Sequence, residues 1–332
     1  MKESLQILCS SLVENRKIIK SAFPLENSYI YPVCAEIFTE KHQTAQEEKL
    51  SDCRRILKEN TGILSNFRGI TKPVMISMMA ADTNPQEKLR RSLSVYALLK
   101  EYFFTSQYLP VASMAISSMA PESRYEELSA RTRKIYEAMR SEHPFLTNSQ
   151  DCIYAALLAL SPRTDEEIIE ETEKCYNILR DKFFSSNAVQ SLSHILAFLD
   201  GTAEEKCSRT LVLYDQLKFN GCRYGTNFEL PTLGVAAMLP GEIKDIARDI
   251  AETDEFLANQ KGFGFFSIGK KQRLMHAAMI VSSDLIEKNN VTARSAEISG
   301  IVALIAAQEA AICAAVAASA AAASASAASS GN

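Results

Sequence analysis

Paired cysteines, metal-spaced histidines, a strong net charge and alternating strand patterns are all missing from this sequence. The eight cysteines stand at 9, 34, 53, 152, 175, 207, 222 and 313, and the nearest two are fifteen residues apart. No C-x-x-C pair of the zinc or redox kind exists. Scattered singly through apolar stretches, they are expected to be reduced core residues of a cytosolic protein. Histidine occurs only at 42, 143, 194 and 276, never at H-x-x-x-H or H-E-x-x-H spacing. No metal and no cofactor is therefore expected. The net charge of −4 is small and the two signs are interleaved, so nothing favours nucleic acid. The opening "MKESLQILCSSLVEN" has no long apolar run and no small-residue cleavage site. A secretory leader or a lipidated Cys9 is not expected, and the reading is cytoplasmic.

What is present is periodicity. Leu57, Leu99, Met139, Leu179 and Leu217 are each followed by a base, Leu257 keeps the Leu alone, and Ile19 precedes Lys20. The steps lie between 38 and 42 residues. Tyr96, Tyr136, Tyr176 and Tyr214 each stand three residues before the marker. Seven units follow. Each opens with a charged amphipathic stretch such as "QEKLRRSLSVYALLKEY", whose apolar residues recur at helical spacing. A polar and aromatic loop comes next. The unit closes with a short apolar stretch such as "VMISMMAA", "IYAALLAL" or "TLGVAAML", several of them ended by Pro121, Pro162, Pro240 or Gly201.

Two helices per unit at a period near 40 predict an all-α fold of about seven tandem hairpins, forming an α/α solenoid or a closed α/α toroid over residues 1–290. The amphipathic helix A should form the outer layer and the apolar helix B the inner one. All A-to-B loops then fall at one end of the array, where a binding edge would form.

Two groups of candidates lie on or near that end. His194 and His276, with Asp151 and Glu229 as partners, are acid–base candidates for a polar pocket, and Arg273 could join them. Arg68, Tyr154, Gln190, Lys270, Lys271 and Arg273 are candidate ligand or anion contacts. The competing reading is structural, because Asp151 and Asn148 are ordinary helix N-cap residues and Asn187 or Ser191 could cap the helix of the fifth unit. Phe103, Phe104, Phe183, Phe184, Phe265 and Phe266 resemble a stacking set, but their repeat positions favour a plug between neighbouring hairpins. From Ala293 the chain turns alanine-rich. A helix over 291–325 is expected to pack on or cap the array through Ile301, Leu304, Ile305, Ile312 and Val316, with a frayed tail at 326–332. Gln308 and Glu309 at mid-span argue against membrane insertion.

"LSNFRG" (64–69), "NAVQSLSHILA" (187–197), "EEKCSRT" (204–210) and "KGFGFFSIGKKQRLMHAAM" (261–279) resemble the bacterial family known as domain of unknown function 4003. That resemblance covers most of the chain. It implies a stand-alone soluble bacterial protein and carries no activity or catalytic residue with it.

The stretch "KGFGFFSIGKK" also matches the front of a phosphate-binding loop at Gly264, Gly269 and Lys270. Lys271 replaces the Ser or Thr that would hold Mg²⁺, and a helix pattern precedes the loop where a strand is needed. What remains is an anion clip of Lys270, Lys271 and Arg273 near a helix N-terminus. The leading expectation is a binding or scaffolding protein that holds a peptide, protein or small anionic ligand on the A-to-B loop face or the concave B surface. The alternative is an enzyme with a polar pocket in a toroid.

Overall fold

The structure, a computed structural model, describes residues 1–264 and 267–288. The expected alanine-rich helix and tail, and Phe265 and Phe266, lie outside the described residues. Fourteen α-helices and three 3₁₀ turns make up the regular structure, with no strand among the described residues.

The odd-numbered helices are the amphipathic ones: α1 (Glu3–Ala22), α3 (Glu47–Asn60), α5 (Pro85–Tyr102), α7 (Tyr125–Glu142), α9 (Asp165–Leu179), α11 (Ala203–Phe219) and α13 (Ile243–Ala258). Each buries one stripe; α13 buries Ile246, Ile250, Thr253 and Leu257 at steps of three and four. The even-numbered helices, shorter and more apolar than the helix before them except for the last, are α2 (Ile30–Thr39), α4 (Lys72–Ala80), α6 (Leu109–Met119), α8 (Cys152–Ala159), α10 (Ser186–Phe198), α12 (Leu230–Ala237) and α14 (Gly269–Lys288). All eight residues of α8 are buried. Helix starts are set locally. Thr164 with Glu167 and Thr202 with Glu205 form capping boxes, and prolines open α4, α6 and α12, where a missing N–H costs nothing. The cap of α10 is Ser185, which accepts from Ala188 N–H. Asn187 and Ser191 are therefore not the cap; they fall inside the helix because it begins one residue after Ser185.

Every odd helix packs on the even helix that follows it. Each even helix also packs on the next even helix, and α14 returns to α2. The odd helices do the same, and α13 returns to α1. These contacts are consistent with the toroid and join the seventh hairpin to the first. At Gly234 in α12 an added Cβ would stand 2.5 Å from the Leu192 Cδ1 methyl of α10, so any larger residue would force Leu192 to move.

Two contacts recur between hairpins at equivalent sequence positions. The residue three before each marker packs on a ring from the preceding loop. Tyr96 meets Phe67, Tyr136 meets Phe103, Tyr176 meets His143 and Tyr214 meets Phe183, with centroids 4.3–5.3 Å apart. Where arginine replaces tyrosine, Arg54 lies 4.9 Å from Phe23, and Arg16 lies 5.4 Å from Phe263 across the junction of hairpins seven and one. Asp254 occupies this position in α13 and takes Arg273 instead, at 2.7 Å.

The second contact sits eight residues before the marker, at the other end. Lys49, Arg91, Arg131 and Arg209 each reach carbonyls that follow or end the even helix of their own hairpin. Those carbonyls have no intrahelical donor, so a cation there satisfies them and meets the negative end of the helix dipole. Two hairpins carry an acid at this position, and the next odd helix supplies the cation. Lys206 pairs with Glu171 at 2.5 Å and Lys2 with Asp249 at 2.5 Å. The seven described cysteines are all free and buried.

Arg131→Met removes donors to Ala159 O, Ser161 O and Arg163 O and the ion pair with Asp165. It is expected to lower stability by about 2–3 kcal/mol in urea denaturation. Arg55→Met, which breaks only exposed pairs with Asp52 and Glu59, should leave the midpoint where it was.

Candidate functional site

The four acid–base candidates are all closed off from solvent. Exposure is 1% for His194, 0% for His276, 5% for Asp151 and 3% for Glu229. Each has its own surroundings. Asp151 accepts from Asn148 N–H at 2.7 Å in a capping box at the start of α8, and burial pushes its carboxyl up to about 7. Glu229 accepts from Asn227 N–H at 3.1 Å and lies over Gly225, where any Cβ would overlap its carboxylate. The His194 ring tilts against Tyr154, with centroids 5.4 Å apart and Nδ1 lacking a hydrogen-bond partner. Burial, and secondarily His143, pulls its pKa down to about 3, so the ring is neutral at ordinary pH.

His276 Nδ1 lies 2.9 Å from Glu36 Oε1, joining α14 to α2 where hairpin seven meets hairpin one. Burial raises the Glu36 pKa, and His276 opposes that shift. Glu40, one turn further along, is raised well above the usual carboxylate range by burial and by Glu36. His276 Nε2, Glu36 Oε2 and Glu40 Oε1 have no hydrogen-bond partner among the described residues. This is a buried polar junction, and no group of acids, histidines or cysteines among the described residues is arranged to hold a metal ion.

Most of the ligand candidates are spent on the fold. Arg68 donates to Thr61 Oγ1 at 2.9 Å and to the Lys58 and Thr61 carbonyls, closing the end of α3. Gln190 donates to Thr147 Oγ1 at 2.9 Å, and Tyr154 is buried. The three cations of the expected clip do not act together. Lys270 donates to Gly221 O at 3.1 Å, and Lys271 is exposed. Arg273 is buried, with its fork on both oxygens of Asp254 (2.7 and 3.3 Å) and on Phe263 O. Its charge is already neutralised. Helix α13 precedes the stretch 261–271, and Gly262 and Gly269 adopt φ of +97° and +72°, as turns require.

Among what the loop end shows to solvent are large apolar side chains. Leu25, Ile63, Leu64, Phe104, Phe145, Phe184 and Phe219 are between 85% and 102% exposed, and each of the first six hairpins supplies at least one, in or at the end of its loop. Phe104 and Phe184 were expected in the plug between hairpins; the structure gives that role to Phe103 and Phe183. The backbone is extended at Phe103, so the next side chain turns to the opposite side. The pairing of one buried and one exposed ring was readable only as "FF". Nearly every residue of the even helices is buried, so the concave B surface offers little to a partner among the described residues.

A family model described as "Protein of unknown function (DUF4003)" matches residues 15–310. The chain belongs to that family. No curated protein and no solved structure matches it. The DUF4003 match begins inside α1 and runs beyond α14, so it takes in both sides of the junction between hairpins seven and one. No described helix is long and apolar enough to cross a membrane.

Two measurements separate structural from catalytic roles in this DUF4003 chain. His276→Leu leaves the Glu36 carboxyl buried without its partner and should cost about 3–5 kcal/mol in denaturant titration. His276→Gln, which keeps a polar partner for Glu36, should recover part of the loss.

The pH dependence has two limbs of opposite sign. The folded-state pKa of His194 is depressed, so its contribution is present above 6.5 and is lost as pH falls towards 3. That of Asp151 is raised, so its contribution is present below 3.8 and is lost as pH rises to about 7. Asp151→Asn keeps an acceptor for Asn148 N–H and should gain stability, on the order of a few kcal/mol, at pH 8 but not at pH 3. His194→Leu should flatten the loss between pH 6.5 and 3. Parallel stability–pH curves for wild type and Asp151→Asn would contradict this assignment.

Proposed function

We propose that this is a binding protein that holds a protein partner on the loop end of its hairpin array. The observation that supports this reading is the set of seven large, strongly exposed apolar side chains, at least one from each of the first six hairpins. A single exposed phenylalanine needs no explanation. At least one per hairpin at a common end is a pattern, and desolvating it would contribute roughly 1.5–3 kcal/mol per side chain.

The charges beside these residues favour a protein over an anionic bilayer. Lys58 is followed by Glu59, Lys100 by Glu101 and Arg180 by Asp181, all exposed. An anionic lipid surface would meet attraction and repulsion at each step, whereas a protein surface can match alternating signs. The enzyme reading has less support, because all four of its acid–base candidates are buried among structural partners.

The test places a photo-crosslinking phenylalanine analogue at Phe104, Phe145 or Phe184, in cells that naturally make the protein. One protein adduct common to the three positions, and missing from a probe at Glu166 near the opposite end, is the expected result. The identified partner, once purified, should bind at least tenfold more weakly to the Phe104/Phe145/Phe184→Ser triple variant, whose fold should be unchanged. Adducts with lipid alone, with a second copy alone or with nothing would overturn the proposal.

A further inference from the structure

Arg16 stands at the repeat position that tyrosine occupies in four hairpins, and it is the buried cation of the junction between hairpins seven and one. Only 6% of it is exposed. Its guanidinium lies over the rings of Phe263 (5.4 Å) and Tyr31 (5.8 Å). It makes no hydrogen bond and no ion pair among the described residues, and Nε is buried without any partner. Arg273, also stationed beside Phe263, provides the contrast, since it is saturated by Asp254 and by Phe263 O. Nε is cut off from water without an acceptor, and the rest of the guanidinium meets the cavity with donors that no protein group uses, which favours a ligand that supplies acceptors. Burial pulls the Arg16 pKa down from its ordinary value, with Tyr31 acting in the opposite sense.

The space beside it is built to receive an anion. Arg16 lines a cavity of about 680 Å³ between α1 and α13, together with Lys17, Lys20 and Lys261. Glu14 is the one acid on its wall, facing four cations. Val13 and Phe256 add an apolar side. Gly262, at φ +97°, leaves room for the guanidinium where any Cβ would overlap it. The volume exceeds that of a bare oxyanion and falls in the range of small-molecule sites.

We propose that this cavity binds a small organic phosphate ester, its phosphate on the Arg16 fork and the neighbouring lysines and its apolar body against Val13 and Phe256. Arginine offers two parallel N–H donors to two phosphate oxygens, and burial strengthens each bond. The site is separate from the apolar residues of the loop end, so either proposal can fail without the other.

The probes are phenyl phosphate and inorganic phosphate, titrated calorimetrically into the full chain with benzyl alcohol as the uncharged control. Phenyl phosphate is expected to bind, to raise Tm in proportion to occupancy, and to weaken as salt rises. Benzyl alcohol should not bind. Arg16→Gln should reduce affinity at least tenfold. Because Arg16 also stacks across the junction, the exposed pair Lys20→Ala/Lys261→Ala serves as a second variant, expected to fold normally and to bind about three- to tenfold more weakly. Phenyl phosphate that fails to bind at millimolar concentration, or that binds both variants as it binds wild type, would overturn the proposal. Inorganic phosphate binding as tightly as the ester would overturn the organic part and leave a free-phosphate site.

Discussion

The even-numbered helices are buried nearly all round through their middles, and the rest of the structure depends on that. A helix of eight residues such as α8, with all eight buried, cannot hide its surface against one partner. It needs an odd helix behind it and an even helix on each flank, so no hairpin is complete alone and the two end hairpins share the problem. The contacts of α14 with α2 and of α13 with α1 solve it without a separate cap. The short even helices also bring their ends close to every neighbour. Their last carbonyls must be satisfied locally, which accounts for the recurring Lys49, Arg91, Arg131 and Arg209.

The junction of hairpins seven and one obeys the same plan with different chemistry. In four hairpins the residue three before the marker is a tyrosine on a ring; here it is Arg16 on Phe263, as Arg54 lies on Phe23 in the second hairpin. Between the even helices of the junction His276 meets Glu36, with Glu40 a turn away. At the far end Lys2 and the amino terminus pair with Asp249 and Glu252 of α13. Polar pairs are worth less than apolar packing, but they accept only one register, because a slipped helix would leave a buried charge alone. We read the junction as the place where register is fixed.

Much of the fold was legible in the sequence because it is written many times over. A marker that recurs within a narrow range of spacings, with a tyrosine three residues before it, needs no single strong signal. Helix starts were legible too, through Thr164–Glu167 and Thr202–Glu205. The candidate site was legible only as a location. The loop end follows from the stacking of the units, but its polar residues, where chemistry is usually sought, serve the fold. The structure uses those residues as caps and clamps: Asp151 for Asn148, Arg68 for the end of α3, Arg273 for Asp254. The informative residues were Phe104, Phe145 and Phe184, which composition alone cannot separate from the half-buried Phe103 and the buried Phe183. Arg16 was visible as a departure from the tyrosine pattern. Its lack of a counter-ion was not, because the groups that surround it come from the last hairpin, some 250 residues away.

The two ends of the hairpins therefore divide the labour. At the end where the odd helices begin, acids such as Glu126, Asp165 and Glu204 face the positive helix dipoles while the periodic cations close the even helices. The periodic cations there are committed to carbonyls and carboxylates, and a change at one of them would register as lost stability. At the loop end the backbone is already satisfied by residues within each loop, such as Ser65, Asn148 and Ser185. That leaves the outward side chains free of structural duty, which is the condition under which a surface can be shaped by what it binds. Arg16 belongs to the loop end. It helps to hold the junction through its stacking, yet unlike Arg54, which stacks on Phe23 and donates to Ala22 O, it keeps its hydrogen-bonding edge unused.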